Sequence, residues 1–452
     1  MSFARIAART LRVGSTSSTR LTAARTLSRG YTAPSAVSRA ALALKSKHVH
    51  EEHSHELVAS SDLPRCTPGE KEVFVHWDGA QFSRFHNLWL RDHCRCSKCF
   101  HPVTKQRLVP TFEIPLDIRP ASVTAKPEGL EVVWQPASAP HTSLYPWSWL
   151  QYNTYDPAPE PVPSEKVLWG SKIAQEPPTV TYEEVLASEN GLYKWLSKID
   201  KFGFCFVSGV PPTPEATEEL STRIGFIRTT HYGGFWDFTA DLARGDTAYT
   251  NLALPAHTDN TYFTDPCGLQ IFHLLHHDGQ GGQTLLVDGF YVAGLLKELN
   301  STAYEQLSTQ EVTAHAAGEE DIMYRAKAPV LTHDAKGELV KVRWNNDDRS
   351  VVRGVSGNDM LGWYDAMREW NKGLTSADAE YWVKLTPGTV VAIDNHRVLH
   401  GRAAFDGTRR MCGAYIGVDE FRSKLGVLGE KFAPKLASQD GEGKRDIWSA
   451  EF

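Results

Sequence analysis

The chain has 452 residues, of which 41% are apolar, 10% aromatic and 23% charged. This length is enough for two or three domains with a large buried core. A mean hydropathy of -0.36 and the lack of any apolar run of about 20 residues exclude a membrane-spanning helix. The composition excludes a coiled coil, a collagen and a wholly disordered chain.

The net charge of -6 is unevenly distributed along the chain. Residues 1–50 hold seven Arg and two Lys, and Glu51 is the first acid, so the chain without these nine positive charges carries -15. Such an acidic body would repel phosphate backbones, and the sequence shows no local basic patch. We therefore expect no nucleic-acid partner, and a small cationic ligand suits this charge better.

Residues 1–47 have the composition of a mitochondrial transit peptide. They are rich in Arg, Ser, Thr and Ala, lack acids, and place three arginines on one face of a helix. Arg29 precedes a plausible processing point after Tyr31, so the mature chain would begin near Thr32. A disordered basic tail is the alternative. The sequence thus predicts the mitochondrial matrix as the location.

Three of the seven cysteines lie within six residues, which is typical of a metal site and not of a disulfide framework. Three thiolates and one imidazole would make a closed, tetrahedral and therefore structural zinc site. A redox role for the thiols is the alternative. The thiols are Cys94, Cys96 and Cys99, and the candidates for the fourth ligand are His93, His101 and His141.

A small β-rich domain is predicted over residues 66–155, starting with the alternating strand VFVHW and continuing with short strands within 107–134. Residues 156–166 follow with four prolines in the run DPAPEPVPSE. Such a run forms a stiff, extended linker, which makes it the best domain boundary in the sequence.

Residues 167–452 are predicted to form a second, mainly β domain. Helical spacing covers 182–200, an apolar strand follows at 202–207, and further helices are expected at 289–299 and 358–371. Many short strands separated by turn residues indicate a jelly roll, or double-stranded β-helix, with flanking helices. A doubly wound fold is disfavoured, because strands and helices do not alternate regularly and no GxGxxG is present.

Two distant motifs together suggest an iron site. His257 and Asp259 are two residues apart and would point to one side of a strand. A His-Gly-Arg run begins at His400, 141 positions after Asp259, and His396 is a second candidate. Two histidines and one carboxylate on one face, with three positions open, are the ligands of non-haem Fe(II) oxygenases.

The runs HTDNTYF, GGQTLLVDGFY, VRWNNDDR, DNHRVLHGR and RRMCGAY resemble the γ-butyrobetaine/trimethyllysine dioxygenase family of 2-oxoglutarate-dependent oxygenases. The resemblance extends over about residues 73–425 and includes LWLRDHCRCSKC. It implies that His257, Asp259 and His400 bind iron, with His396 standing where the family usually has Trp. It also implies that His141 completes the zinc site.

The resemblance further implies Fe(II) as cofactor, 2-oxoglutarate as cosubstrate and ascorbate as reductant. The far carboxylate of 2-oxoglutarate requires a cation, and a bidentate Arg suits it best. Arg409 matches the family's Arg and Thr284 its hydroxyl donor. Arg410 is an adjacent alternative, and a surface salt bridge is the other reading of Arg409.

Four aromatic residues match the family positions that enclose a quaternary ammonium by cation–π attraction; without the resemblance, core packing would be the better interpretation. These are Tyr232, Trp236, Tyr249 and Tyr415. Asp246 could pair with a substrate α-ammonium, or be an exposed loop acid. Asn345 and Asn346 are amide candidates for the substrate carboxylate.

The resulting hypothesis is hydroxylation of trimethyllysine at C3 with O₂ and 2-oxoglutarate, giving succinate and CO₂, as the first step towards carnitine. A γ-butyrobetaine dioxygenase and a catalytically silent quaternary-amine-binding protein are the alternatives. A zinc-dependent regulatory protein is disfavoured by the acidic charge. We expect a homodimer with no membrane span.

Overall fold

The computed structural model describes residues 63–78, 81–135, 140–158, 166–239, 250–318, 320–357 and 359–432. Within this part the chain forms two compact units, one up to residue 158 and one from residue 166. The predicted transit peptide and residues 159–165 of the predicted linker lie outside the described residues. None of the described helices combines the length and the apolar character needed to cross a bilayer.

The first unit contains two three-stranded antiparallel sheets, ordered β1-β2-β3 and β4-β5-β6. Its strands are β1 (Arg65–Pro68), β2 (Glu72–Asp78), β3 (Gln81–His86), β4 (Pro120–Lys126), β5 (Gly129–Trp134) and β6 (His141–Tyr145), and its helices are α1 (Asn87–Asp92) and α2 (Trp147–Tyr152). Alternate residues of β2 and β5, such as Val73 and Val132, bury their side chains in one core together with Tyr145. The Tyr145 hydroxyl donates to the carbonyl of Leu90, which ties β6 to α1.

The second unit is mainly β with helices on its outside. Its strands are β7 (Thr179–Thr181), β8 (Phe204–Ser208), β9 (Trp236–Thr239), β10 (Leu254–His257), β11 (Leu269–His277), β12 (Thr284–Asp288), β13 (Glu311–Ala316), β14 (Tyr324–Pro329), β15 (Leu331–His333), β16 (Leu339–Val342), β17 (Tyr381–Val383), β18 (Thr389–Asp394), β19 (Val398–Arg402) and β20 (Arg409–Ile416). Its helices are α3 (Tyr182–Ala187), α4 (Glu189–Phe202), α5 (Pro214–Thr222), α6 (Gly289–Leu299), α7 (Ser301–Thr309), α8 (Met360–Leu374) and α9 (Val418–Phe432).

Two sheets form the centre of this unit, one ordered β10-β19-β12-β17 and the other β7-β8-β18-β11-β20-β9. Side chains from both sheets meet in one buried cluster that includes Leu286, Val391 and Met411. Helices α4, α5 and α9 pack on the outer face of the six-stranded sheet, and α6, α7 and α8 pack on the four-stranded sheet. The predicted jelly roll with flanking helices is therefore confirmed.

Strand alternation decides which side chains reach the interior between the sheets. In β8, Phe204 and Phe206 point into this interior, while Cys205 and Val207 contact the helices outside. The same alternation runs through the other central strands. Polar residues at the strand positions whose side chains point inward therefore face the space between the sheets, where a ligand can bind.

Two local predictions were wrong. The helix predicted over 182–200 is broken at Ser188, whose hydroxyl accepts from Gly191 N and so begins a second helix. The strand predicted within 107–114 is absent apart from a bridge at Arg107, and 111–113 form a 3₁₀ turn. Pro110 and Pro115 flank this turn and have no N–H to donate to a sheet.

A buried histidine makes the stability of the second unit depend on pH. His273 Nε2 accepts from the Gly388 N–H at 3.1 Å, and Nδ1 lies 2.7 Å from Thr217 Oγ1. Nε2 can accept only in the neutral ring, whose Nδ1–H then donates to Thr217, and burial lowers the pKa of His273 to about 4.

In the unfolded chain His273 binds a proton at a higher pH than in the folded protein, so the free energy of unfolding decreases as the pH falls below about 6.5. The decrease is about 2 kcal/mol between about pH 7 and pH 5. We expect His273→Gln to lack this component of the pH dependence. Chemical unfolding of both proteins at the two pH values measures it. Equal losses of unfolding free energy in wild type and variant would contradict the assignment.

Candidate active site

A cavity of about 630 Å³ opens between the sheets of the second unit. Most of the site residues predicted from the sequence line it, including the two histidines and the carboxylate of the predicted metal site. Those in the described lining are Tyr232, Trp236, His257, Asp259, Thr284, Asn345, Asn346, His400, Arg409 and Tyr415.

His257, Asp259 and His400 converge on one point of the cavity wall. His257 ends β10 directly opposite His400 in β19, and Asp259 follows two residues later. Asp259 Oδ1 lies 3.3 Å from His257 Nε2 and 3.6 Å from His400 Nε2. Ligands at right angles around a metal at about 2.1 Å are about 3 Å apart, so the three atoms fit one ion with an open face.

The tautomer of His257 and the neutral ring of His400 also suit metal binding. His257 Nδ1 lies 2.8 Å from the Pro255 carbonyl, which can only accept, so the lone pair of this ring is on Nε2. Burial, and then the charge of His257, lower the pKa of His400 to about 3 and keep it neutral. Burial acts to lower the pKa of His257, but the hydrogen bond and the charge of Asp259 together raise it above its ordinary value.

His396, the alternative third ligand, lies outside this group. Its ring is buried with Nε2 3.4 Å from the Pro266 carbonyl, and its backbone N–H donates to Asp394. It is not among the residues that line the cavity.

Two amide side chains around Asp259 were missed by the sequence reasoning. Asn395 Oδ1 accepts from the Asp259 N–H at 2.7 Å, and its Nδ2 donates to the Asp259 and Cys267 carbonyls. Gln270 Nε2 donates to Asp259 Oδ2, and so does the Tyr415 hydroxyl at 2.7 Å. The sequence does contain a signal for Gln270, because it is a polar residue inside the apolar run GLQIFHLL, where a polar side chain is expected to be buried and to need a partner.

Arg409 provides a buried cation in the cavity. It is 7% exposed, and its Nε has no hydrogen-bond partner in the described part of the chain. Burial, and then the charge of Arg402, lower its pKa to about 10, so it stays protonated at neutral pH. A buried guanidinium of this kind requires an anion, and the far carboxylate of a 2-oxo diacid fits that need. Thr284 lines the same cavity from β12.

Arg410, the adjacent alternative, points the other way from β20. Its guanidinium bonds to both oxygens of Asp237, with Nε 2.8 Å from Oδ1, on an exposed surface. The side chains of these consecutive strand residues therefore lie on opposite faces of the sheet, and only that of Arg409 reaches the cavity.

Aromatic residues form part of the cavity wall. Trp236 and Tyr415 have ring centroids 6.3 Å apart, and Trp236 lies 5.6 Å from Phe272. Gly413 permits this arrangement, since a Cβ there would lie 2.3 Å from the Trp236 ring. Tyr232 also lines the cavity, with its hydroxyl 2.9 Å from that of Tyr262.

Two predicted substrate residues, Asp246 and Tyr249, lie outside the described residues. Asn345 and Asn346 do line the cavity, together with two carboxylates that the sequence reasoning did not name, Asp347 and Asp348. Asp348 Oδ2 accepts from Thr261 Oγ1 at 2.7 Å.

Comparison with known families agrees with this geometry. Residues 163–415 match the taurine catabolism dioxygenase TauD, TfdA family, and residues 65–151 match the γ-butyrobetaine hydroxylase-like N-terminal domain. A trimethyllysine dioxygenase of Neurospora crassa is 46% identical over 375 residues, which are 75% of this chain and 79% of that protein. The chain belongs to the trimethyllysine dioxygenase family within the TauD group.

Sequence identity is higher to a second trimethyllysine dioxygenase than to a γ-butyrobetaine dioxygenase. The human mitochondrial trimethyllysine dioxygenase is 41% identical over 352 residues, covering 76% of this chain and 83% of the relative. A γ-butyrobetaine dioxygenase of Pongo abelii is 28% identical over 375 residues, covering 80% and 96%. As a member of this family the chain is an Fe(II)- and 2-oxoglutarate-dependent dioxygenase, as the sequence motifs implied.

The second ligand cluster of this family member lies in the first unit. His141 Nε2 is 3.2 Å from Cys94 Sγ, 3.7 Å from Cys96 Sγ and 3.5 Å from Cys99 Sγ. All four ligand atoms lie within 4.8 Å of one another. The arrangement is compatible with a closed tetrahedral zinc site.

The two alternative histidines are engaged elsewhere. His93 Nδ1 lies 2.7 Å from the Trp89 carbonyl, and His101 Nδ1 accepts from the Thr104 N–H. Burial, and then Arg91 and Lys98, lower the pKa of His141, which keeps it in the neutral form that binds metal. An Arg91 N–H also donates to Cys99 Sγ at 3.4 Å, as expected beside a thiolate.

Loss of one thiol should remove the zinc. We expect Cys96→Ala to reduce bound zinc from about one per chain to below about 0.1 and to lower the melting temperature by several degrees. Metal analysis and thermal unfolding measure both. Cys66→Ala, which removes a thiol outside the cluster, is the matched control; zinc retained by Cys96→Ala would argue against the site.

Proposed function

We propose that this protein hydroxylates trimethyllysine at C3, as the first step towards carnitine. The observation that carries the proposal is one cavity that contains a two-histidine, one-carboxylate ligand group, a buried arginine and an aromatic wall. Identities of 39–46% to trimethyllysine dioxygenases, against 28% to a γ-butyrobetaine dioxygenase, favour trimethyllysine over its shorter relative.

Each set of residues has a defined task in this reaction. His257, Asp259 and His400 hold Fe(II), and Arg409 binds the far carboxylate of 2-oxoglutarate with Thr284 beside it. When bound, Fe(II) and 2-oxoglutarate would reduce O₂, with one oxygen atom going to the hydroxyl group of the product and the other to succinate, and with release of CO₂. The protein contributes by placing the substrate carbon and by limiting access of water.

The aromatic wall supports a quaternary-amine substrate. A trimethylammonium group cannot donate hydrogen bonds, so the faces of Tyr232, Trp236 and Tyr415 are suitable partners, and Tyr249 is proposed to join them. The distance from this wall to the metal ligands then selects the carbon that reacts.

The other end of trimethyllysine carries an α-ammonium and an α-carboxylate, which must lie near the reacting C3. Asn345 and Asn346 offer amides for the carboxylate. Asp246, and the cavity carboxylates Asp347 and Asp348, offer acidic partners for the ammonium. γ-Butyrobetaine has no such ammonium and would form no ion pair with these acids.

A direct assay tests the proposal. The chain without residues 1–31 is incubated with Fe(II), ascorbate, O₂ and 2-oxoglutarate, and succinate and hydroxylated product are measured with trimethyllysine and γ-butyrobetaine in parallel. Hydroxylation of trimethyllysine matched by succinate is expected. Preference for γ-butyrobetaine would overturn the substrate, and no succinate with either compound would favour a silent binding protein.

Three further features belong to the proposal. The mammalian relatives are named as mitochondrial, and the composition of residues 1–47 supports import into the matrix. We further propose that the first unit uses its zinc for folding. A homodimer is the proposed assembly.

A further inference from the structure

The two oxygens of Asp259 have different environments. Oδ1 faces the two histidines at 3.3 and 3.6 Å, whereas Oδ2 accepts hydrogen bonds from Gln270 Nε2 and from the Tyr415 hydroxyl. Both donors are buried, Gln270 at 2% exposure and Tyr415 at 6%. One oxygen is therefore directed to the ligand group and the other is held by the protein.

The fold places these two donors side by side. Gln270 in β11 and Tyr415 in β20 are direct cross-strand partners, so their side chains project from the same face of the six-stranded sheet. That face carries them toward Asp259, which Asn395 holds through its backbone. The carboxylate is thus fixed at its backbone and at Oδ2, in a single orientation.

We propose that Gln270 and Tyr415 are positioning residues that make Asp259 a one-oxygen metal ligand. The inference rests on the proposed iron site and adds to it the residues that keep the remaining coordination positions open. A carboxylate with both oxygens available can bind a cation through both, which would occupy a position that the cosubstrate or O₂ requires. Hydrogen bonds to Oδ2 oppose that second contact and orient Oδ1.

This role of Tyr415 is separate from its ring contact with Trp236. The hydroxyl points to Asp259, while the ring forms part of the cavity wall. Tyr415→Phe removes the hydroxyl and keeps the ring, so the two contributions can be measured independently.

Binding of Mn(II), without turnover, tests the proposal. Mn(II) prefers oxygen and nitrogen ligands and so leaves the zinc-loaded thiol cluster occupied, and the unbound ion is counted by its electron paramagnetic resonance. We expect Tyr415→Phe and Gln270→Met each to weaken Mn(II) binding about tenfold, and the double variant more strongly, because loss of the fixed orientation of Oδ1 typically costs a factor of about 10–100, which is more than a strained second contact through Oδ2 restores. Tyr304→Phe, which loses a hydroxyl bond to His333 outside the cavity, should stay within about twofold.

Coupling of the reaction gives a second readout. With Oδ2 released, more succinate should form per hydroxylated product in Tyr415→Phe than in wild type. Mn(II) affinities and coupling ratios equal to wild type in Tyr415→Phe would overturn the proposal, and this variant decides if Gln270→Met does not fold. Failure of the proposed function would differ, because wild type itself would then form no hydroxylated product.

Discussion

Replacing Asp259 with alanine is expected to abolish iron retention and to lower kcat/KM by about a thousandfold or more. Asp259 Oδ1 is the atom that both histidines share, at 3.3 and 3.6 Å. Without it, two neutral imidazoles would face a dication with no compensating charge. Asp259 also accepts from Gln270 and Tyr415, so its loss leaves two buried donors unpaired.

Iron content per chain and succinate formation measure this outcome. Asp419→Ala, an exposed acid at the start of α9, is the matched control and should keep both values. Trp236→Ala should keep iron and mainly raise the KM for trimethyllysine, because it removes an aromatic face and no ligand. An Asp259→Ala protein that retains iron and full activity would contradict the metal assignment.

The proposed metal ligands could be predicted from spacing that follows strand geometry together with the family resemblance, and the proposed cosubstrate residues Arg409 and Thr284 from the resemblance alone. His257 and Asp259 share a parity, and the His-Gly-Arg run places His400 on the inward face of β19 opposite His257. A histidine four residues earlier, His396, has the same residue chemistry. Only the turn before β19, where Asp394 accepts from its backbone, separates the two.

Residues that act through others could not be predicted in the same way. Gln270 is 11 positions and Asn395 is 136 positions from Asp259, and no spacing rule connects an amide to a carboxylate at such separations. Their contact depends on β11, β18 and β20 lying side by side in one sheet, which is a property of the tertiary fold. Asp246 and Tyr249 lie outside the described residues and remain predictions.

The second large expected effect is on the binding of 2-oxoglutarate, which we assign to Arg409 and not to Arg410. We expect Arg409→Met to raise the KM for 2-oxoglutarate about a hundredfold or more, with a smaller change in the KM for trimethyllysine. A charge-assisted, water-excluded arginine–carboxylate contact typically accounts for about 3–5 kcal/mol when one partner is removed. Initial rates at varied 2-oxoglutarate measure the effect.

Arg410→Met is the matched control on the neighbouring residue. Its guanidinium bonds to Asp237 on the exposed face, so the KM for 2-oxoglutarate should change by less than about twofold. A large effect in Arg410→Met and none in Arg409→Met would exchange the two assignments. In that case the side chain of Arg410 would have to point into the cavity and that of Arg409 away from it, which is the reverse of their orientation in β20, where Arg409 pairs with His277.

A substrate comparison isolates the contact itself. 2-Oxopentanoate keeps the 2-oxo acid end of 2-oxoglutarate and replaces the far carboxylate by a methyl group. The wild type should strongly prefer 2-oxoglutarate, because without that carboxylate Nε of the buried Arg409 cation has no partner among the described residues. Arg409→Met should lose most of this preference, since a methionine offers no charge for the carboxylate to bind. Equal preference in the variant and the wild type would show that another cation of the cavity lining binds the cosubstrate, for example Arg402, whose charge acts on Arg409.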